Sequence, residues 1–286
     1  MPPTGTRSTG ASARALLITV VGEYYREPGR QVWGSTLIAA LGALGVGESA
    51  TRQALSRAIR AGWLRATRNG RRIRCELTPA ARVHLVDSAD DVYRRRRDPP
   101  PWDGRWCLLV TSVPESRRAL RHRLRTRLRW AGFGALGQGV WVSPRVEAEA
   151  TARRVLDDLG LAGNALSMLG GIGALGTEYE VVGRAWDLVG LTRDYRDFLE
   201  EFPDPPRPAV TGVPAFAEHA AMVHRWREFV LRDPVLPGEL LPARWPGHVA
   251  AARFHARHAA LGPAARAWLD RIDELGRRRG GDAKQD

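Results

Sequence analysis

Cysteine is nearly absent. The 286 residues include only Cys75 and Cys107, each within an apolar or strand-like run. No C-x-x-C pair exists, so a zinc finger is excluded and a disulfide framework has no basis. That usage fits a reducing, cytoplasmic setting. Lysine is almost missing as well: Lys284 stands alone, and every other fixed cation is arginine. Genomic base composition accounts for much of that bias, but Arg also forks onto phosphate and guanine edges better than Lys. Long apolar runs are lacking, and none approaches the ~20 residues needed to span a bilayer. The nearest imitation, "ALLITVV" at 15–21, runs into the charged, aromatic "GEYYRE" with no small-residue cleavage site, so no signal peptide is expected. No G-x-S-x-G elbow and no Ser/His/Asp ordering stands out, so nothing positive points to a hydrolase.

Acidic residues are scarce in one part of the chain. Residues 1–98 hold 17 Arg against 8 acids, residues 99–131 hold 8 against 2, and the remainder holds 19 basic and 21 acidic groups. The first 131 residues therefore carry all the excess of a chain whose net charge is +13. A basic half joined to a near-neutral half implies one part that meets a polyanion and another with a different task.

The pattern of apolar residues divides the chain further. The small, polar residues 1–13 read as a disordered tail. Helices are expected at 14–25, 33–44 and 49–61, with Gly45, Gly47 and Gly62 as stops. Two β-like runs then flank Asn69-Gly70, a dipeptide suited to a tight hairpin turn with φ > 0 at both positions. Thr78-Pro79 opens an exit helix to about Arg97, and prolines make a linker of 98–101. Three helices followed by an arginine-rich hairpin is the chain order of a winged helix-turn-helix, assigned to 14–97. Strands at 102–114, 138–143 and 164–171 alternate with helices at 116–130 and 147–159. That order suggests a ferredoxin-like α/β sandwich over 102–182, its fourth strand at 133–137 or 177–182. Residues 183–279 read as a helical C-terminal region with a helix at 184–201 and a proline-rich break at 233–247, and 280–286 as a second tail. The fold class is thus α+β and multidomain.

The third helix carries the sharpest signal. On a wheel of 100° per residue, Thr51, Leu55, Ala58 and Ile59 share one face. Opposite them lie Ser49, Gln53, Ser56, Arg57 and Arg60, with no acid among them. A merely solvated helix usually mixes charge signs in i, i+4 pairs. In the major groove, outward Gln and Arg can read base edges. Arg52 lies beside the apolar face and reads as a phosphate contact or internal brace. The hairpin supplies Arg65, Arg68, Asn69, Arg71, Arg72 and Arg74, of which Arg68, Asn69, Arg71 and Arg72 are the expected contacts to the DNA backbone or minor groove.

The stretch "LGALGVGESATRQALSRAIRAGWLRATRNGRRIRCELTPAAR" (41–82) resembles the N-terminal domain of the PaaX-type transcriptional repressors. The matching features are Arg52, Leu55 and Arg57, then Gly62-Trp63-Leu64, Gly70-Arg71 and Leu77-Thr78. Residues 102–144, 184–202 and 232–247 are similar to that family's central and C-terminal portions. One departure is Gly47, where the family usually places a Ser cap; Gly caps nearly as well. The resemblance implies a homodimeric repressor on a double-stranded DNA operator, released by a small-molecule effector of the aryl-acyl-CoA class such as phenylacetyl-CoA. Operator, effector and pocket residues do not follow from it, and no cofactor is implied.

Other features weigh less. Gly132-Gly134-Gly137 and Gly171-Gly173-Gly176 both fit G-x-G-x-x-G, but the first precedes a strand and the second precedes "TEYEVV", which reads as strand. A dinucleotide site needs a helix there. The helix at 116–130 sets Leu120, Leu124 and Leu128 against seven arginines. Arg121, Arg125 and Arg129 are candidate contacts to DNA phosphate or to the phosphates of a CoA ligand. A nuclease reading fails because the first strand of the sandwich ends at Thr111 and Ser112, with Glu115 alone nearby, and two-metal chemistry needs clustered carboxylates. His219 and His224, five apart, do not share a helical face; His255 and His258, three apart, could, but no carboxylate or Cys in the pattern completes a metal set. The competing function is an enzyme acting on a CoA ester or nucleic acid, tethered by the winged helix.

Overall fold

The computed structural model describes residues 11–70, 72–83, 85, 101–204 and 210–281. The chain is mixed helix and sheet with two small antiparallel sheets. It divides into two compact units: Met1–Tyr93 with Phe198–Glu228 and Val249–Asp286, and Arg94–Asp197 with Phe229–His248. The helical region expected at 183–279 therefore contributes to both.

The first unit begins with α1 (Ala13–Tyr24), whose Ser12 side chain accepts from the Ala15 amide. Residues 11–13 thus belong to a capped helix start rather than to the expected tail; 1–10 lie outside the described residues. After β1 (Gln31–Trp33) come α2 (Gly34–Ala43), α3 (Glu48–Arg60), β2 (Leu64–Asn69) and β3 (Arg72–Leu77). The sheet order is β1-β3-β2. Strand β1 was not expected; Trp33 was read as the start of a helix. The turn also differs from expectation. Asn69 pairs with Arg72 as the last residue of β2, so the turn begins at Gly70, one position later than the expected Asn69-Gly70. Gly70 takes φ +61°, the positive φ that glycine adopts without a Cβ penalty. Helical residues resume at 79, after Thr78 Oγ1 accepts from the Ala81 amide; the rest of the exit helix, 86–97, and most of the linker lie outside the described residues.

The second unit contains β4 (Trp106–Thr111), α4 (Arg118–Trp130), β5 (Gly134–Gly137), β6 (Val140–Ser143), α5 (Ala148–Asp158) and β7 (Ala165–Gly170), an element order of β-α-β-β-α-β. All pairings are antiparallel and the strand order is β5-β6-β4-β7. The uncertain fourth strand is β5, the first of the two places considered. The second place, 177–182, lies in a helix: α6 (Glu178–Ala185) starts at a reciprocal capping box between Thr177 and Glu180. "TEYEVV" carries a β-like composition, but T-x-x-E at its head satisfies two orphan amides and starts a helix. Among the described residues no strand follows α6 to complete a parallel βαβ unit, so the second glycine motif lacks the dinucleotide context. The core of this unit includes Cys107, Leu109, Leu124, Leu128, Phe133, Trp141 and Leu156.

The expected helix at 184–201 is two: α6, and α7 (Leu188–Glu201). Then come α8 (Gly212–Arg232) and α9 (Pro246–Gly281). Phe216 and Ala220 of α8 and Ala265, Trp268 and Leu269 of α9 join Leu17, Val20, Val21, Leu37, Leu41, Leu55 and Leu77 in one core. The three N-terminal helices are therefore not closed by their own sheet alone. Among the described residues, no helix is long and apolar enough to cross a membrane.

Candidate nucleic-acid interface

Helix α3 is held by one face. Thr51, Ala54, Leu55 and Ala58 are buried, and the Thr51 hydroxyl donates to the Gly47 carbonyl one turn back. Gly47 caps the helix with extended backbone, and Glu48 places a carboxylate in the first turn, where the helix dipole favours it. Ser49, Gln53, Ser56, Arg57 and Arg60 are all exposed. Neither Arg57 nor Arg60 makes an ion pair with a described residue. The structure therefore brings the five expected base-reading residues onto one acid-free, solvent-facing surface. Arg52, also exposed, donates through Nε and Nη2 to Glu48 Oε1 at 2.8 and 2.6 Å. An exposed i, i+4 pair is worth only about 0.3–0.5 kcal/mol. It orients Arg52 along the helix without withholding it from a phosphate.

The hairpin divides its arginines into two sets. Arg68 and Asn69 are exposed at the tip, and Arg71 lies outside the described residues. Arg72 turns the other way. Its guanidinium lies 4.4 Å from the Trp33 ring centroid and donates to Ser35 Oγ and to the Gly276 carbonyl. Arg74 stacks over the same indole at 4.6 Å and donates to Gln31 Oε1, while Arg65 pairs with Glu76 at 3.0 Å. A hydrogen bond from Gln31, together with Arg65, holds the Glu76 carboxyl below the usual range. Arg72, read from sequence as a wing contact, is thus part of the joint between hairpin and body. A groove of about 430 Å³ separates the hairpin from α2 and α3, with Leu55, Ile59 and Ile73 in its wall beside Arg52, Ser56 and Arg60.

The joint has a buried anchor that the sequence pattern did not reveal. Asp273 of α9, 5% exposed, accepts from the Trp33 amide at 3.1 Å and from Thr36 Oγ1 at 2.9 Å. Trp33 precedes α2 and has no side-chain cap of its own, so Asp273 serves the start of α2 from 237 residues further along the chain. A local motif search cannot find such a cap. In the second unit, Leu124 and Leu128 of α4 are buried and Leu120 is half-buried, as the stripe required. Arg125 and Arg129 are exposed, whereas Arg121 is half-buried and paired with Glu115 at 3.5 Å.

A second cluster was also missed. Glu23 of α1, His219 of α8 and His258 of α9 converge, and each offers a donor atom within 4.8 Å of the others. Histidine spacing along the chain does not show it, because the carboxylate lies almost 200 residues before the first histidine. Burial pulls the His219 imidazole down to about 4, with the charge of His258 adding to the effect.

Comparison with known proteins covers nearly the whole chain. Residues 12–81 match the family model for PaaX-like protein, 99–178 that for the PaaX protein central Cas2-like domain, and 186–271 that for the PaaX-like protein C-terminal domain. The transcriptional repressor PaaX of Escherichia coli K12 is 31% identical over 280 residues, spanning 92% of this chain and 84% of that protein. Among solved structures, the uncharacterized protein Rv0674 from Mycobacterium tuberculosis is similar at a TM-score of 0.58 and 26% identity, covering 90% of this chain and 98% of that one. With three successive domain models matched in order and this identity along almost its full length, the chain belongs to the PaaX family.

Proposed function

We propose that the protein is a DNA-binding transcriptional repressor whose first unit is a winged helix-turn-helix, with α3 as the helix that enters the major groove. The observation that carries this reading is the exposed face of Ser49, Gln53, Ser56, Arg57 and Arg60 on a helix anchored by Thr51, Ala54, Leu55 and Ala58. Gln is suited to adenine N6 and N7, and Arg to guanine O6 and N7. Arg52, Arg68, Asn69 and Arg71 supply backbone contacts; Arg72 fixes the hairpin against Trp33 and carries less of that role than its sequence position suggested. The name of the E. coli relative supports repression and a non-enzymatic role. The β-α-β-β-α-β order and the match to a Cas2-like domain support a ferredoxin-like second unit.

The finer reading is a cytoplasmic homodimer on an imperfect inverted repeat, with two α3 helices in major grooves about one turn apart. An effector of the aryl-acyl-CoA class, as the family resemblance implies, favours a dimer geometry with mis-spaced heads and so weakens operator binding, as in control of phenylacetate catabolism. Arg125 and Arg129, with Arg121 beside them, offer charge either to DNA or to the phosphates of such a ligand.

Paired substitutions test the docking. With duplexes selected from a random pool by the wild-type protein, Gln53→Ala is expected to relax preference at one base pair per half-site, at about 1–3 kcal/mol. Arg68→Ala is expected to weaken all duplexes alike and to lower the slope of log affinity against log salt by about one. If both proteins bind and select as the wild type does, α3 and the hairpin are not at the DNA.

A further inference from the structure

The convergence of Glu23, His219 and His258 stands apart from the DNA-reading face and plays no part in the function proposed above. Three helices supply it, and all three residues belong to the first unit. His219 is 1% exposed, and its Nδ1 lies 2.5 Å from the Tyr24 hydroxyl. Its other ring nitrogen, Nε2, is buried and has no hydrogen-bond partner among the described residues. Buried polar atoms are nearly always paired, and one that is not asks for an explanation. Gly262 of α9 faces that nitrogen; a Cβ there would stand 3.5 Å from Nε2, so glycine leaves the approach open. On the other side of the cluster, His258 Nε2 lies 2.9 Å from Glu23 Oε1. The His258 side chain is 29% exposed and the Glu23 side chain 10%, which gives the cluster one edge toward solvent.

We propose that Glu23, His219 and His258 form a binding site for a divalent first-row transition metal, with zinc the best chemical match. Two imidazole nitrogens and one carboxylate oxygen are a borderline N₂O donor set, which suits zinc, cobalt or nickel and not the all-oxygen preference of calcium or magnesium. In the tautomer that carries its proton on Nδ1, His219 donates to the Tyr24 hydroxyl and presents a bare lone pair on Nε2, and this is the form that binds the metal. A metal-binding histidine is commonly held in this way through its second nitrogen. His258 ligates through Nε2 in the neutral tautomer that carries its proton on Nδ1. Glu23 supplies one negative charge, and the fourth position is left to water. Arg266, whose guanidinium lies 5.7 Å from the Tyr24 ring centroid, is the nearby like charge that the carboxylate offsets. Donors on one zinc with bonds near 2.0–2.1 Å sit roughly 3–4 Å apart. The three donors already lie within 4.8 Å of one another, so binding calls for only a modest approach of these side chains. The ion ties α1 to α8 and α9, so its binding adds directly to the stability of the first unit.

The test uses the untagged full-length protein, dialysed against chelator and then titrated with Co²⁺ as a visible probe. The proposal expects d–d bands that saturate at one cobalt per chain and are bleached by Zn²⁺, together with a rise in Tm on adding Zn²⁺. His258→Gln and Glu23→Gln should each lower Co²⁺ affinity at least about tenfold and abolish the Tm rise. Tyr24→Phe, which leaves every ligand in place, should lower affinity by about 10–100-fold. No bands at stoichiometric cobalt, or the same uptake in His258→Gln as in the wild type, overturns the proposal. His258 sits at the exposed edge, so that variant decides the matter even if Glu23→Gln fails to fold.

Discussion

Replacing Arg57 by Ala is expected to weaken binding to a selected duplex by about 1–3 kcal/mol while leaving the fold intact. Arg57 is exposed in the middle of the outer face of α3 and makes no ion pair with any described residue. The helix is anchored through Thr51, Ala54, Leu55 and Ala58, and alanine is a better helix former than arginine, so stability should not fall. The control is a scrambled duplex of the same length. A bidentate contact to guanine is lost only on the selected sequence, whereas a phosphate contact is lost on both. Affinity that falls on the selected duplex and little on the scrambled one supports base reading. An equal fall on both would reassign Arg57 to the backbone.

Asp273→Ala is expected to cost about 2–4 kcal/mol of unfolding free energy, although it lies more than two hundred residues from the helix it supports. The buried carboxylate accepts from the Trp33 amide and the Thr36 hydroxyl, and its removal leaves both donors in a site with little access to water. Arg277, 3.5 Å from the same carboxylate, would lose its partner too, at small cost because it is exposed. The loss should appear as a lower urea midpoint with an unchanged slope. Asp273→Asn, which keeps an acceptor oxygen, should recover part of it. A midpoint equal to that of the wild type would mean that the start of α2 does not depend on α9.

These two residues mark what a reading along the chain finds and what it misses. Arg57 was legible because a helix repeats every 3.6 residues, so its outer face can be written down once its apolar face is known. The same periodicity located α1, α2, α4 and α5 to within a few residues. Strand β1 escaped because three residues are too short for a period-two pattern and because its partner, β3, lies some forty residues on. The hairpin was legible, but its turn fell one residue late, since the register is set by pairing along β2 and β3 rather than by the Asn-Gly dipeptide alone. Helix α6 escaped because its composition is β-like, while the signal that starts it is the capping box of Thr177 and Glu180. Asp273 and the Glu23, His219 and His258 cluster were illegible for a stronger reason. Their partners are brought together only when α8 and α9 pack into the N-terminal core, and no local window contains both sides of those contacts. Arg72 shows the same effect in reverse: its place on the hairpin suggested DNA, and the indole of Trp33 claims it.

The most direct test of the account is to map which guanine N7 atoms the full-length wild-type protein protects from methylation on a selected duplex, and to repeat the map with Arg57→Ala. N7 faces the major groove, so the reagent reports the groove that α3 is proposed to enter. The expected map has two clusters of protected guanines about one helical turn, 10–10.5 base pairs, apart, with one protected position in each cluster exposed again by Arg57→Ala. Guanines that react freely beneath a bound protein, or a map unchanged by the substitution, would contradict it.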